Sequence, residues 1–107
     1  MSWCIIYSED ARKDLENTQN YIRDVLLEPD VAKKQIKRIV DSISSLDHMP
    51  LRHRLYEHDP WRTAGLRVLP IDNYLAFYLA DETNATVKIV RIIYGGRDIE
   101  VQLEQSE

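Results

Sequence analysis

The densest run of potential chemistry in this 107-residue chain is Tyr94-Gly95-Gly96-Arg97-Asp98. Two adjacent glycines permit positive φ, so the chain can turn sharply there. Such a turn carries Arg97 to the rim of a sheet, where a guanidinium can grip a phosphate in fork geometry. Tyr94 beside it can stack on a base or handle a proton. Arg67 and Arg91 lie on adjacent parts of the same small predicted sheet. The structural alternative is a hairpin corner in which Arg97 pairs with Asp98 or Asp72, with Arg67 and Arg91 as exposed cross-strand partners of carboxylates. Residue types alone favour the corner.

Other chemistries find less support. The glycines are Gly65, Gly95 and Gly96, so no glycine-rich phosphate loop exists. His48, His53 and His58 recur every five residues, which does not stack them on one helix face, and no metal site or other cofactor is expected. Cys4 is the single cysteine, so an internal disulfide is impossible. Its apolar neighbours predict a small buried hydrophobe. Trp61 can stack on a partner or fold onto the core.

Elements to position these residues follow from periodicity. Trp3 to Tyr7 reads as a strand. Ser8 offers a hydroxyl cap, followed by Glu9 and Asp10 at a helix N-terminus. Ala11, Leu15, Thr18, Ile22 and Val25/Leu26 form one helical face. Glu28-Pro29-Asp30 interrupts it, and Pro29 suits the first turn of a second helix. That helix presents Ala32, Ile36, Ile39/Val40, Ile43 and Leu46, and the short break between the two predicts an antiparallel hairpin. Residues 48–63 read as a polar loop, either an ordered functional loop or plain connection. From Leu66 the period becomes two: 66–69, ending near Pro70, then 74–79 and 87–94, joined by short turns and hence antiparallel neighbours. The last of these is apolar on both faces, which predicts a central position. Residues 99–103 suit a strand, or a short helix capped by Asp98.

The fold expected is therefore α+β, β-α-α-β-β-β with a short C-terminal element, in one domain spanning residues 1–107. The net charge is −4. It is unevenly placed: residues 33–67 carry eight basic and four acidic side chains, so the middle of the chain can present a basic surface. No basic leader and no long apolar stretch is evident, which predicts a cytoplasmic protein without a membrane segment.

The order and spacing of these motifs resemble the RelE/ParE toxin superfamily of type II toxin–antitoxin systems. The resemblance spans nearly the whole chain. It rests on Tyr7-Ser8, Ala11 and Asp14-Leu15; on Pro29 and Ala32; on Ile43 and Leu46 before Pro50; on Leu66-Arg67; on Asn73 to Tyr78; and on Val90 to Asp98. It implies a toxin held by a cognate antitoxin whose flexible segment folds across it, and it leaves a homodimer or a toxin–antitoxin hetero-oligomer open. RelE-like members cut mRNA on the ribosome without a metal, using basic groups and a tyrosine or histidine. ParE-like members poison DNA gyrase and are not known as nucleases. The first expectation is ribosome-dependent mRNA cleavage, an endoribonuclease activity with Arg67, Arg97 and Tyr94 catalytic and Arg91, Arg54 and Arg62 contacting RNA. The alternatives are a gyrase inhibitor or an attenuated toxin fold. Two positions depart from the nuclease pattern: Leu75 stands after Tyr74 where an arginine is frequent, and Leu103 or its neighbours stand where a C-terminal tyrosine would fall.

Overall fold

A computed structural model of the chain describes residues 2–105. Strand β1 is Cys4–Tyr7, helix α1 is Glu9–Asn20 and helix α2 is Pro29–Ser44. Helix α3 is the single turn Trp61–Ala64. Strands β2 (Arg67–Ile71), β3 (Tyr74–Asp81) and β4 (Thr86–Tyr94) follow, and helix α4 (Ile99–Glu104) closes the described chain.

The four strands form one sheet in the order β1-β4-β3-β2. The β2–β3 and β3–β4 pairs are antiparallel, while β1 joins β4 in parallel, so the sheet is mixed. Strand β4 is central, as its two apolar faces require, and β3 is the other internal strand. Helices α1 and α2 cover one face, where Ala11, Ile39, Ile43 and Leu46 meet Ile71, Ala76, Tyr78, Val87 and Ile89. The segment before β2 and helix α4 cover part of the other, where Leu66, Val68, Phe77, Ile93 and Leu103 are buried. Two local devices fix the entry to α1. The Ser8 hydroxyl accepts from the Ala11 N–H at 3.0 Å and donates to the Val90 carbonyl at 2.7 Å. One hydroxyl thus caps the helix and pins it to the central strand.

The structure corrects some expectations and decides others that the sequence leaves open. Cys4 is exposed. On an edge strand successive side chains alternate faces, so Cys4 and Ile6 point to the side that α1 and α2 do not cover. Val25 and Leu26 are exposed too, because α1 gives way to a π-helical turn over Tyr21–Val25 that slips the helical face before it reaches them. Strand β2 runs through Pro70 to Ile71, which an edge strand tolerates because its outer N–H needs no partner. Residues 48–63 are an ordered strap. Leu55 bridges Arg67, the Tyr56 N–H donates to the Leu66 carbonyl, and the Tyr78 hydroxyl donates to the Pro50 carbonyl at 2.5 Å. Burial pushes the Tyr78 phenol up to about 12. Trp61 folds onto the core against Tyr56. The 99–103 segment takes the helical of its two expected forms, although the Asp98 side chain makes no capping hydrogen bond. No helix among the described residues is long and apolar enough to cross a membrane.

Candidate functional site

The end of β4, the end of α1 and the π-helical turn enclose a cleft of about 670 Å³. Asn17, Thr18 and Tyr21 form the helical wall, Tyr74 and Tyr94 the sheet wall, and Arg97 and Leu26 also line it. Tyr74 faces Tyr94 directly across the β3–β4 pair. Their rings meet edge to face, with centroids 5.5 Å apart. Such contacts orient the rings and add about 0.5–1.5 kcal/mol beyond burial. The Tyr74 phenol is pushed up, first by burial and then by Tyr94, while Arg97 pulls the other way.

The turn after Tyr94 works differently from the sequence expectation. Neither Gly95 nor Gly96 has positive φ; Gly65 is the glycine that does. The pair is there for space. A Cβ on Gly96 would lie 2.8 Å from the Tyr94 ring, and one on Gly95 would lie 3.2 Å from the Asn73 carbonyl. Gly95 also donates its N–H to that carbonyl at 2.8 Å, and the Arg97 N–H donates to the Tyr94 carbonyl at 3.1 Å. The glycines let the chain fold back under the Tyr94 ring.

Three arginines have distinct surroundings. Arg97 is exposed, and its side chain makes no ion pair or hydrogen bond among the described residues. The expected corner pairing with Asp72 is absent, because Asp72 accepts from Arg38 at 2.8 Å and Gln35 at 3.0 Å. Arg91 is a tie between elements. Its Nε and Nη2 donate to the two oxygens of Asp14 at 2.8 and 2.9 Å, and its Nη1 donates to the Gln102 carbonyl at 2.7 Å. Asp14 also accepts the Ile92 N–H at 2.8 Å. A shift of register makes this possible: Phe77 opposes Arg91 but Tyr78 opposes Ile89, so Val90 is an extra residue on β4. The Asp14 hydrogen bonds hold the Arg91 guanidinium more firmly protonated than an ordinary arginine.

Arg67 lies elsewhere. It opposes Tyr78, whereas Tyr94 lies in the row of Tyr74 and Ile71. Four residues of strand and two strand spacings separate those rows, about 13 Å along and about 10 Å across. Arg67 Nη1 donates to the carbonyls of His53 at 2.7 Å and Leu51 at 3.2 Å, anchoring the strap. Arg54, in the strap, and Arg62, on α3, are exposed and do not line the cleft. The structure therefore brings Arg97, Tyr94 and Arg91 to one cleft and leaves Arg67, Arg54 and Arg62 away from it. Tyr21, Tyr74 and Leu26 belong to the cleft without having been singled out from the sequence. Counting the β3–β4 register back from the turn would have found Tyr74.

The histidines do not converge. His48 borders Asp47, His53 packs edge-on against Tyr78, and His58 lies 4.0 Å from Glu100. Among the described residues no three His, Cys, Asp or Glu side chains gather to hold a metal ion.

Solved structures of toxin–antitoxin systems contain chains with this fold. The chromosomal ParDE toxin–antitoxin system from P. aeruginosa includes a chain similar in fold, with a TM-score of 0.71 at 20% identity over 87% of this chain and 96% of that one. The toxin–antitoxin complex RelBE2 from Mycobacterium tuberculosis gives 0.63 at 20% identity, covering 88% and 99%. The archaeal RelE–RelB complex from Pyrococcus horikoshii gives 0.60 at 15% identity, covering 92% and 100%. At such identities the likeness is one of fold. Comparison with curated protein sequences finds no match. The profile of the family described as ParE toxin of type II toxin-antitoxin system, parDE, matches residues 5–99, nearly the whole chain. The mixed sheet under a helical hairpin and this match lead to one conclusion: the chain belongs to the ParE toxin family of type II toxin–antitoxin systems.

Proposed function

We propose that this toxin is neutralised by a cognate antitoxin and inhibits DNA gyrase by binding it, without cutting RNA. One observation carries the choice of target. Of the three arginines in or beside the sheet, Arg91 is committed to Asp14 and Gln102 and Arg67 holds the strap, which leaves Arg97 as the cation at the cleft without a partner among the described residues. In-line cleavage of RNA needs several positive groups aimed at the developing phosphorane. One guanidinium beside tyrosines suits recognition of a protein surface better. The ParE family match points the same way. A supercoiling assay with purified protein tests this reading. Dose-dependent inhibition is expected, and gyrase that works normally at saturating protein removes it.

Ribosome-dependent mRNA cleavage is the second reading. It is favoured by the exposed Tyr94 ring in a cleft that also holds the unpaired Arg97. Primer extension on cellular mRNA after induction separates the two. New cuts that disappear with Arg97→Ala would move the assignment to the nuclease.

A further inference from the structure

The first turn of the strap, residues 48–52, holds aliphatic side chains out to solvent on a firmly tied backbone. Met49 is 74% exposed and Leu51 42%, while Pro50 between them is buried. Met49 stands in the left-handed region, at φ 48° and ψ 54°, which residues other than glycine, asparagine and aspartate rarely adopt. The turn keeps this shape because its carbonyls are bonded from within. Arg52 donates to those of Ser45, His48 and Met49. Tyr78 donates to that of Pro50, and Arg67 to those of Leu51 and His53. Arg54 follows, exposed. No carboxylate pairs with Arg52, Arg54 or Arg67 among the described residues, and Asp47 borders His48 instead. The turn is thus an apolar projection on a cationic base. It lies far from the cleft: α2 has 16 residues, so the end that leads into the turn is about 24 Å from the end beside the π-helical turn.

We propose that Met49 and Leu51 form a second contact between the toxin and its target protein, entering an apolar pocket whose rim carries carboxylates. The proposal rests on the gyrase reading above and adds a surface and the chemistry of what it meets. Aliphatic side chains already in water gain free energy when a pocket covers them. A turn fixed in its bound shape loses little conformational freedom on docking, so more of that gain appears as affinity. Guanidiniums without a carboxylate favour an acidic rim and exclude a basic one. Nucleic acid fits less well. Arg52 and Arg67 have committed N–H groups to carbonyls, which leaves Arg54 to fork a phosphate, and Met49 and Leu51 offer a phosphate nothing.

The test measures binding of purified gyrase to the full-length toxin, and inhibition of supercoiling, for wild type and four variants checked by thermal unfolding. Asparagine tolerates the left-handed backbone, so Met49→Asn should melt no lower than wild type while binding gyrase about 10-fold more weakly. Leu51→Gln, which leaves the left-handed position untouched, should weaken binding about 5-fold. Arg54→Glu should weaken it at low salt and less at high salt. Ile6→Thr, which trims exposed apolar surface on β1 instead, should bind as wild type. If wild type inhibits gyrase and Met49→Asn and Leu51→Gln inhibit equally well, the second contact falls while the gyrase reading stands. If wild type neither binds nor inhibits gyrase, both fall. If the toxin binds free duplex DNA and Arg54→Glu abolishes that binding while Met49→Asn leaves gyrase binding intact, the turn is a nucleic-acid site and the proposal is overturned. If Met49→Asn spares gyrase binding but disrupts self-association or antitoxin binding, that partner is the occupant and the proposal is likewise overturned.

Discussion

Replacing Asp14 by alanine should be among the most damaging single changes outside the apolar core. The Asp14 and Arg91 side chains are 13% and 11% exposed, so solvent screens their pairing weakly. Asp14→Ala removes both hydrogen bonds from Arg91 and the one from the Ile92 N–H. Arg91 keeps its bonds to Gln102 and the longer-range attraction of Asp10 but loses the carboxylate bonded to it. Breaking one side of such a pair costs about 3–5 kcal/mol, because a charge loses its bonded partner in a poorly solvated place. Against a total stability of about 5–15 kcal/mol for a domain of this size, that is a large share. A melting temperature lower by about 15–25 °C follows. The double variant Asp14→Leu, Arg91→Met should recover much of the loss, since apolar replacement of both partners removes the orphaned charge. Circular dichroism during thermal and urea unfolding reads both quantities. A loss below about 1 kcal/mol for Asp14→Ala would place the pair with ordinary exposed ion pairs. A double variant as unstable as the sum of the singles would show that the two residues act independently. Either result refutes the reasoning.

Three further outcomes follow from the geometry. In an ultraviolet titration, the phenol of Tyr78 should ionise near pH 12, last among the tyrosines; the stability tied to its neutral form is complete below pH 10 and lost as pH rises from 10 to 12. Tyr78→Phe should abolish that late step and cost about 1–2 kcal/mol, because it orphans the Pro50 carbonyl. Gly96→Ala should displace the Tyr94 ring from Tyr74, seen as changed aromatic proton shifts in NMR, with a stability cost of at most about 1 kcal/mol because the exposed ring can swing aside. The Arg38 and Gln35 hydrogen bonds depress the Asp72 carboxyl below its ordinary value of 3.8. Its contribution is present above that value and lost as pH falls through the lower folded one, so Asp72→Asn should flatten the acid limb of the stability profile below pH 4.

The order of elements was legible in the sequence because each declares itself locally. Ser8 before Glu9 and Asp10 announces a cap, Pro29 a helix start, and the alternation after Leu66 a set of strands. Exposure was less legible, because it depends on what lies across the sheet. Cys4 sits in an apolar run whose outer face α4 and the strap fail to reach. Val25 looks like one more helical core position until a π-helical turn rotates it outward. The rim was half legible. The turn at Tyr94 to Asp98 is where the cleft ends, but its glycines serve the Tyr94 ring rather than a left-handed backbone. Arg91 could not be told from a phosphate ligand by type, since its role depends on Asp14, 77 positions earlier. Arg67 required the register, which places it away from Tyr94, beside carbonyls that no sequence pattern marks.

The parallel seating of β1 on β4 also bears on how the protein comes into being. Cys4 pairs with Thr86 and Tyr7 with Ile89, so the first strand made has no seat until the last strand appears. At a synthesis rate of about 5–20 residues per second, the wait is about 4–16 s. During that interval the sheet lacks its central strand, and the Tyr74–Tyr94 wall of the cleft does not exist. A chain wired in this way has no assembled rim while it is being synthesised.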